Sequence, residues 1–188
     1  MIETEVKKAG AILQSGGTIL YPTDTIWGIG CDATRQESVQ NIYRIKHRVD
    51  SKSMLVLVNG ITMLEDYIES IPLQAKELIE KAEKPTTIIY PGARNLAANL
   101  LAPDGSIGIR ITSDPFCSLL LEFTGLPIVS TSANISGEQA PALFQKIDSS
   151  IHQQVDYVVN WRQDETTVSS PSAILRLEKD GSITTIRP

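Results

Sequence analysis

The chain has 188 residues, 41% of them hydrophobic, which suits one domain with a substantial core. Seventeen Lys/Arg against 22 Asp/Glu leave a net charge of −5, an argument against a protein whose main work is coating nucleic acid. No apolar run approaches the roughly 18 residues of a bilayer span, and Met1-Ile2-Glu3-Thr4-Glu5 is too acidic for a secretory signal, so a single domain over 1–188 with no membrane contact and a cytoplasmic location is expected.

Residues 3–15 have helical spacing (Val6, Ala9, Ile12, Leu13) and stop at Gly16-Gly17. Thr18–Tyr21 then reads as a buried strand halted by Pro22. Helical spacing returns over 36–47, followed by a strand over Met54–Val58 and helical stretches near 61–67 and 72–83, the last with Pro72 in its first turn. Strands are expected at Thr87–Tyr90 and Ile107–Ile111, then a helix over 115–123 closed by Gly125, then a strand at Leu126–Ser130. The last strands fall at Val155–Val159, Ala173–Leu177 and Ile183–Ile186, the final two joined through Asp180-Gly181. Helices alternating with short apolar strands and ending in a hairpin imply an α/β fold: a twisted mixed parallel and antiparallel sheet flanked by helices.

Four polar clusters sit at strand ends or within strands, where α/β proteins place binding groups. The first, Pro22-Thr23-Asp24-Thr25-Ile26-Trp27-Gly28-Ile29-Gly30, can offer hydroxyls and backbone N–H groups, or simply cap a turn. In the second, Lys46-His47-Arg48 with Lys52 and Ser53, the cations could answer a helix dipole. Three of them converging across a turn are better explained by phosphate, with Arg a fork and Lys a point charge. Ser130 to Gly137 places five hydroxyl or amide side chains directly after a strand, a composition that can cradle an anion or make an ordinary loop. In the fourth, Ser106 to Thr112, Arg110 is the one charge in an otherwise apolar and small strand, a position that usually has a partner or ligand.

No phosphate-loop, dinucleotide-binding or zinc-protease motif is present, nor a nucleophile with its base. Cys31 and Cys117 lack metal-ligand spacing, so buried free thiols and no protein metal site are expected. What remains suits a reaction in which the substrate supplies the attacking group and catalysis is alignment and charge stabilisation.

Taken in order, these clusters resemble the YrdC/TsaC family of threonylcarbamoyl-AMP synthases along nearly the whole chain. The matching pieces are Pro22-Thr23-Asp24-Thr25, Lys46-His47-Arg48, Gly108-Ile109-Arg110, Ser132-Ala133-Asn134, Ser170-Pro171-Ser172-Ala173-Ile174 and Arg187-Pro188. Trp27-Gly28 stands where the family more often has Tyr-Gly, and Glu83-Lys84-Pro85 differs from its usual Trp-Pro-Gly-Pro. The resemblance implies the single-domain form with a concave ligand-binding face, an enzyme of the nucleotidyltransferase class, and three substrates: ATP with Mg²⁺, L-threonine and bicarbonate. It implies that Lys46, Arg48 and Lys52 neutralise phosphates, with Lys46 and Arg48 the catalytic pair. Ser132 and Asn134 would hold the nucleotide, with Ser106 and Arg187 nearby. Thr25, Arg110 and Ser172 would hold threonine, assisted by Thr23 and Thr87. It further implies delivery of the product to a threonylcarbamoyl transferase that modifies tRNA, and weak, salt-sensitive binding of tRNA or double-stranded RNA. Two rival readings stand beside it: a non-enzymatic RNA-binding or ribosome-maturation module of the same fold, and a carbamoyl-transferring enzyme of hydrogenase maturation.

Overall fold

Residues 1–48, 54–178 and 180–188 are described in the computed structural model. The apolar stripe Val6, Ala9, Leu13 becomes the buried face of α1 (Ile2–Gln14), which leads into β1 (Ile19–Tyr21) and β2 (Gly28–Gly30). Next come α2 (Gln36–Ile45), β3 (Leu55–Val58), α3 (Ile61–Glu65), α4 (Leu73–Lys81), β4 (Thr86–Tyr90) and β5 (Ile107–Ile111). The helix α5 (Pro115–Thr124) has a clear start and stop. Asp114 accepts a hydrogen bond from the Cys117 N–H at 2.9 Å, Pro115 fits the first turn, and Gly125 ends the helix at a φ of 66° that favours glycine. The chain finishes with β6 (Ile128–Ser132), α6 (Ser149–Gln154), β7 (Tyr157–Val158), β8 (Ala173–Leu177) and β9 (Ile183–Arg187).

Among the described residues nine strands form one sheet in the order β7-β1-β2-β6-β3-β5-β4-β8-β9. Parallel pairs (β1 with β7, β3 with β5, β4 with β8) mix with antiparallel ones, giving the expected mixed α/β architecture. Side chains alternate across the sheet. Leu20, Val56, Val58, Ile107, Ile109 and Val129 enter one core with residues of α2 and α3, whereas Ile19, Tyr21, Leu57 and Ile128 enter the other with Val6, Leu13, Phe116 and Leu120 of α1 and α5. Beyond those two helices the same face turns polar: after Ile128 the alternation puts Ser130 and Ser132 on it, and Arg110 shares it because Ile109 faces the opposite core. That uncovered half of the sheet is where a ligand can sit.

Three expectations are corrected. The strand expected at Leu126–Ser130 runs from Ile128 to Ser132. Leu126 and Pro127 stay outside the ladder, where the Pro127 carbonyl accepts the Ala33 N–H at 2.9 Å. The strand expected at Val155–Val159 shrinks to Tyr157–Val158, because Val155 caps α6. Gly28-Ile29-Gly30, expected as loop, is an interior strand between β1 and β6. A Cβ at Gly30 would lie 2.7 Å from both the Val129 carbonyl oxygen and the Tyr21 ring, so glycine there permits the close approach of three strands.

Candidate functional site

A turn built by Thr23 opens the site. Its Oγ1 accepts the Thr25 N–H at 3.0 Å, bonds the Thr25 hydroxyl at 2.9 Å and donates to the Ile26 carbonyl at 2.8 Å. This pins Thr25 at the edge of a cavity of about 280 Å3. Small-molecule sites run from about 300 Å3 upward, so the cavity is at their lower end. Thr25, Arg48, Arg110, Ser132, Ser172 and Arg187 all line it. Half of the twelve residues singled out from the sequence thus meet in one pocket, although they are drawn from positions 25 to 187.

Others stand one layer back. Thr87 bonds the Ser172 hydroxyl at 2.9 Å, and Arg187 Nε donates to the Ser172 carbonyl at 2.9 Å, so β4 and β9 together orient Ser172. Lys46 is only 2% exposed, and its ammonium does not point into the cavity as a free charge. It donates to the Ser132 carbonyl, to the Asn134 carbonyl at 2.7 Å and, at 3.5 Å, to the Asn134 side chain. The Lys46 carbonyl in turn accepts the Ser136 N–H at 2.9 Å. Lys46 therefore clamps the turn that carries Ser132 and Asn134, joining the two turns by direct hydrogen bonds. Asn134 is held further by its own Nδ2, which donates to the Ile135 and Glu138 carbonyls.

Burial pushes the Lys46 ammonium down to about 7, with the Arg48 charge adding to the push. The Arg48 guanidinium is lowered by burial as well, and its Nη1 lies 3.4 Å from the Thr131 hydroxyl. Arg48 lines the cavity with Lys46 behind it, and an anion entering beside Arg48 would relieve this paired positive charge. Ser106 stands apart from the cavity. Its hydroxyl and N–H are both held by Asp104 Oδ1, at 2.6 and 3.1 Å, in a side-chain-capped turn, and it does not line the cavity. Lys52 lies outside the described residues.

Arg110 has a companion that the sequence reading left unassigned. Its Nη2 lies 3.1 Å from Asp24 Oδ1, with the two side chains 2% and 11% exposed. The pair is close but unaligned: among the described residues Arg110 Nε and Asp24 Oδ1 have no hydrogen-bond partner. Buried charged groups are seldom left so, and Arg110, which lines the cavity, has a donor open to an acceptor. Trp27 was also passed over. Its ring forms part of the cavity wall and packs against Phe144 with centroids 4.7 Å apart. Both were legible only as neighbours of Thr25, within the first cluster.

Among the described residues no group of three or more His, Cys, Asp or Glu could hold a metal ion, Cys31 and Cys117 are buried free thiols, and no helix is long and apolar enough to cross a membrane. The family model for Sua5/YciO/YrdC, described as "Telomere recombination", matches residues 11–188, and the chain belongs to this family. A threonylcarbamoyl-AMP synthase of Xanthomonas campestris is 30% identical over 159 residues, covering 83% of this chain and 85% of that protein. One from Acinetobacter baumannii is 30% identical over 166 residues, covering 84% and 87%. The fold matches the crystal structure of P. abyssi Sua5 complexed with L-threonine at a TM-score of 0.86 and 20% identity; the match covers 97% of this chain but 53% of that one. E. coli YciO matches at 0.85 and 24% identity, covering all of this chain and 89% of its own.

Proposed function

We propose that this protein is a threonylcarbamoyl-AMP synthase, forming threonylcarbamoyl-AMP and pyrophosphate from L-threonine, bicarbonate and ATP for the modification of tRNA adenosine. The observation that carries the reading is the gathering of three guanidinium groups (Arg48, Arg110, Arg187) with the hydroxyls of Thr25, Ser132 and Ser172 around one pocket, in a chain of this family. Two relatives at 30% identity bear that activity as their name, and one structural neighbour is described with L-threonine.

In this reading Arg110 takes the threonine carboxylate as a fork while the Thr25 and Ser172 hydroxyls read its side chain. The amine and bicarbonate yield a carbamate with loss of water. A carbamate oxygen then bonds to the α-phosphorus of ATP while the bond from that phosphorus to the leaving pyrophosphate oxygen breaks. Arg48, Arg187 and Lys52 neutralise the phosphates; Ser132 and Asn134 hold the nucleotide, and Lys46 keeps that turn in place. A nucleotidyl transfer of this kind needs alignment and charge stabilisation rather than a protein nucleophile. Among the described residues no carboxylate cluster could hold a metal, and the hydroxyl donor set fits Mg²⁺ carried in on the nucleotide's own oxygens, where it would neutralise phosphate charge. We place the protein in the cytoplasm, where its two thiols would stay reduced and a threonylcarbamoyl transferase would take the product. With a charge of −5, contact with tRNA or double-stranded RNA would be weak and salt-sensitive.

Mixing the protein with ATP, Mg²⁺, threonine and bicarbonate should yield the adenylate by mass spectrometry, and omitting bicarbonate should abolish it. Absence of that mass, with RNA retained on the protein at moderate salt, would favour the RNA-binding module instead.

A further inference from the structure

A continuous chain of polar contacts runs from the segment after β7 to Arg110, through residues that the proposed reaction has not yet used. Arg162 Nη1 lies 2.6 Å from Asp114 Oδ2 and 3.4 Å from the Thr23 carbonyl, and its Nε donates to Glu165 Oε1 at 2.7 Å. Asp114, 4% exposed at its side chain, spends its other oxygen on the start of α5. Its N–H donates to the Thr112 hydroxyl at 3.2 Å, and that hydroxyl donates to Asp24 Oδ2 at 3.3 Å. Asp24 Oδ1 meets Arg110.

Three features argue against an incidental surface bridge. Asp114, Thr112 and Arg110 are all buried, where a hydrogen-bonded charge is costly to disturb. Arg162 holds a φ of 59°, uncommon for a residue with a Cβ, and contacts on several sides keep it there. The chain also forks: through Thr23 it reaches the turn that sets Thr25, and through Asp24 it reaches Arg110, so both ends arrive at the same pocket.

We propose that Arg162, Asp114, Thr112 and Asp24 act as one positioning unit for Arg110 and Thr25, and so set the affinity for the amino-acid substrate while leaving that for the nucleotide unchanged. The proposal rests on the reading of Arg110 as the carboxylate clamp. Arg162→Ala and Thr112→Val cut the unit at two points. Each should raise the threonine KM about tenfold, since misplacing a positioning group by a fraction of an ångström costs on that order, with the ATP KM unchanged. Because both cut the same unit, the double variant should stay near about tenfold rather than reach about a hundredfold.

Arg162→Lys, which keeps a positive charge beside Asp114, should raise the threonine KM by less and remains measurable where the alanine variant fails to fold. Equal rises in both KM values, effects that multiply, or an unchanged threonine KM in both Arg162→Lys and Thr112→Val overturn the proposal. The side-chain Nε–H resonance of Arg110 separates it from the assigned reaction. If wild type forms no adenylate but this resonance shifts in Thr112→Val, the unit stands and the reaction falls; a resonance that does not move removes the unit.

Discussion

Lys46 is a charge held where water does not reach it. Its folded value of about 7 lies below the ordinary lysine value, near 10.4. The folded protein thus holds fewer protons than the unfolded chain between those limits, and the contribution of this residue to stability rises with pH through that window. A triphosphate bound at the neighbouring Arg48 would offset the charge that helps to lower Lys46 and so favour the ammonium form. ATP binding at about pH 8 should take up protons, read by titration calorimetry in buffers of different ionisation enthalpy. Binding heats independent of buffer would exclude it. Lys46→Ala frees two carbonyls from their donor, so it should lower stability by about 1–3 kcal/mol as well as activity, measured by urea unfolding. Stability within error of wild type would mean that the clamp has no weight.

Among the elements, β2 shows what a strand of Gly-Ile-Gly needs in order to exist. Gly30→Ala forces a methyl group to within 2.7 Å of a neighbouring strand's carbonyl, so it should destabilise by about 1–3 kcal/mol, measured as a lower urea midpoint with an unchanged slope. An equal midpoint would show that β6 can yield. The same strand marks the limit of sequence reading. Helices such as α1 and α5 were legible because period, caps and glycine stops agree, and β5 and β8 because their apolar runs have unambiguous ends. β2 was not, since two glycines erase strand propensity and only the flanking strands impose extension. Likewise Thr25 and Arg110 stood out within local clusters, whereas Ser172 was singled out only through the family resemblance. Arg162 did not stand out: its partner Asp114 is 48 positions away, in a stretch with no periodic signal of its own.

At the scale of the molecule, Glu5 ties the first helix to β7 and the segment just after it. Burial alone would raise its carboxyl, but hydrogen bonds from the Tyr157 hydroxyl at 2.6 Å, the Asn160 N–H at 2.8 Å and Lys8 at 3.0 Å outweigh it, and the folded value is lowered. The stability from this residue is therefore complete above the unfolded carboxyl value of about 4.3 and is lost as pH falls through the lower folded value. Glu5→Gln should flatten the acid limb of stability in that range, and an unchanged limb would remove Glu5 as its cause. The connection from β7 to β8 has a wider effect. It joins strands at nearly opposite ends of the sheet, and on its way it passes the Thr23 turn and ends at Ser172 in the pocket. Thr25 follows β1 and Arg187 belongs to β9, yet both line one cavity, so the cavity is not complete until β9 is in place. Competence should arrive all at once, only after β9 has been made and has closed on β8.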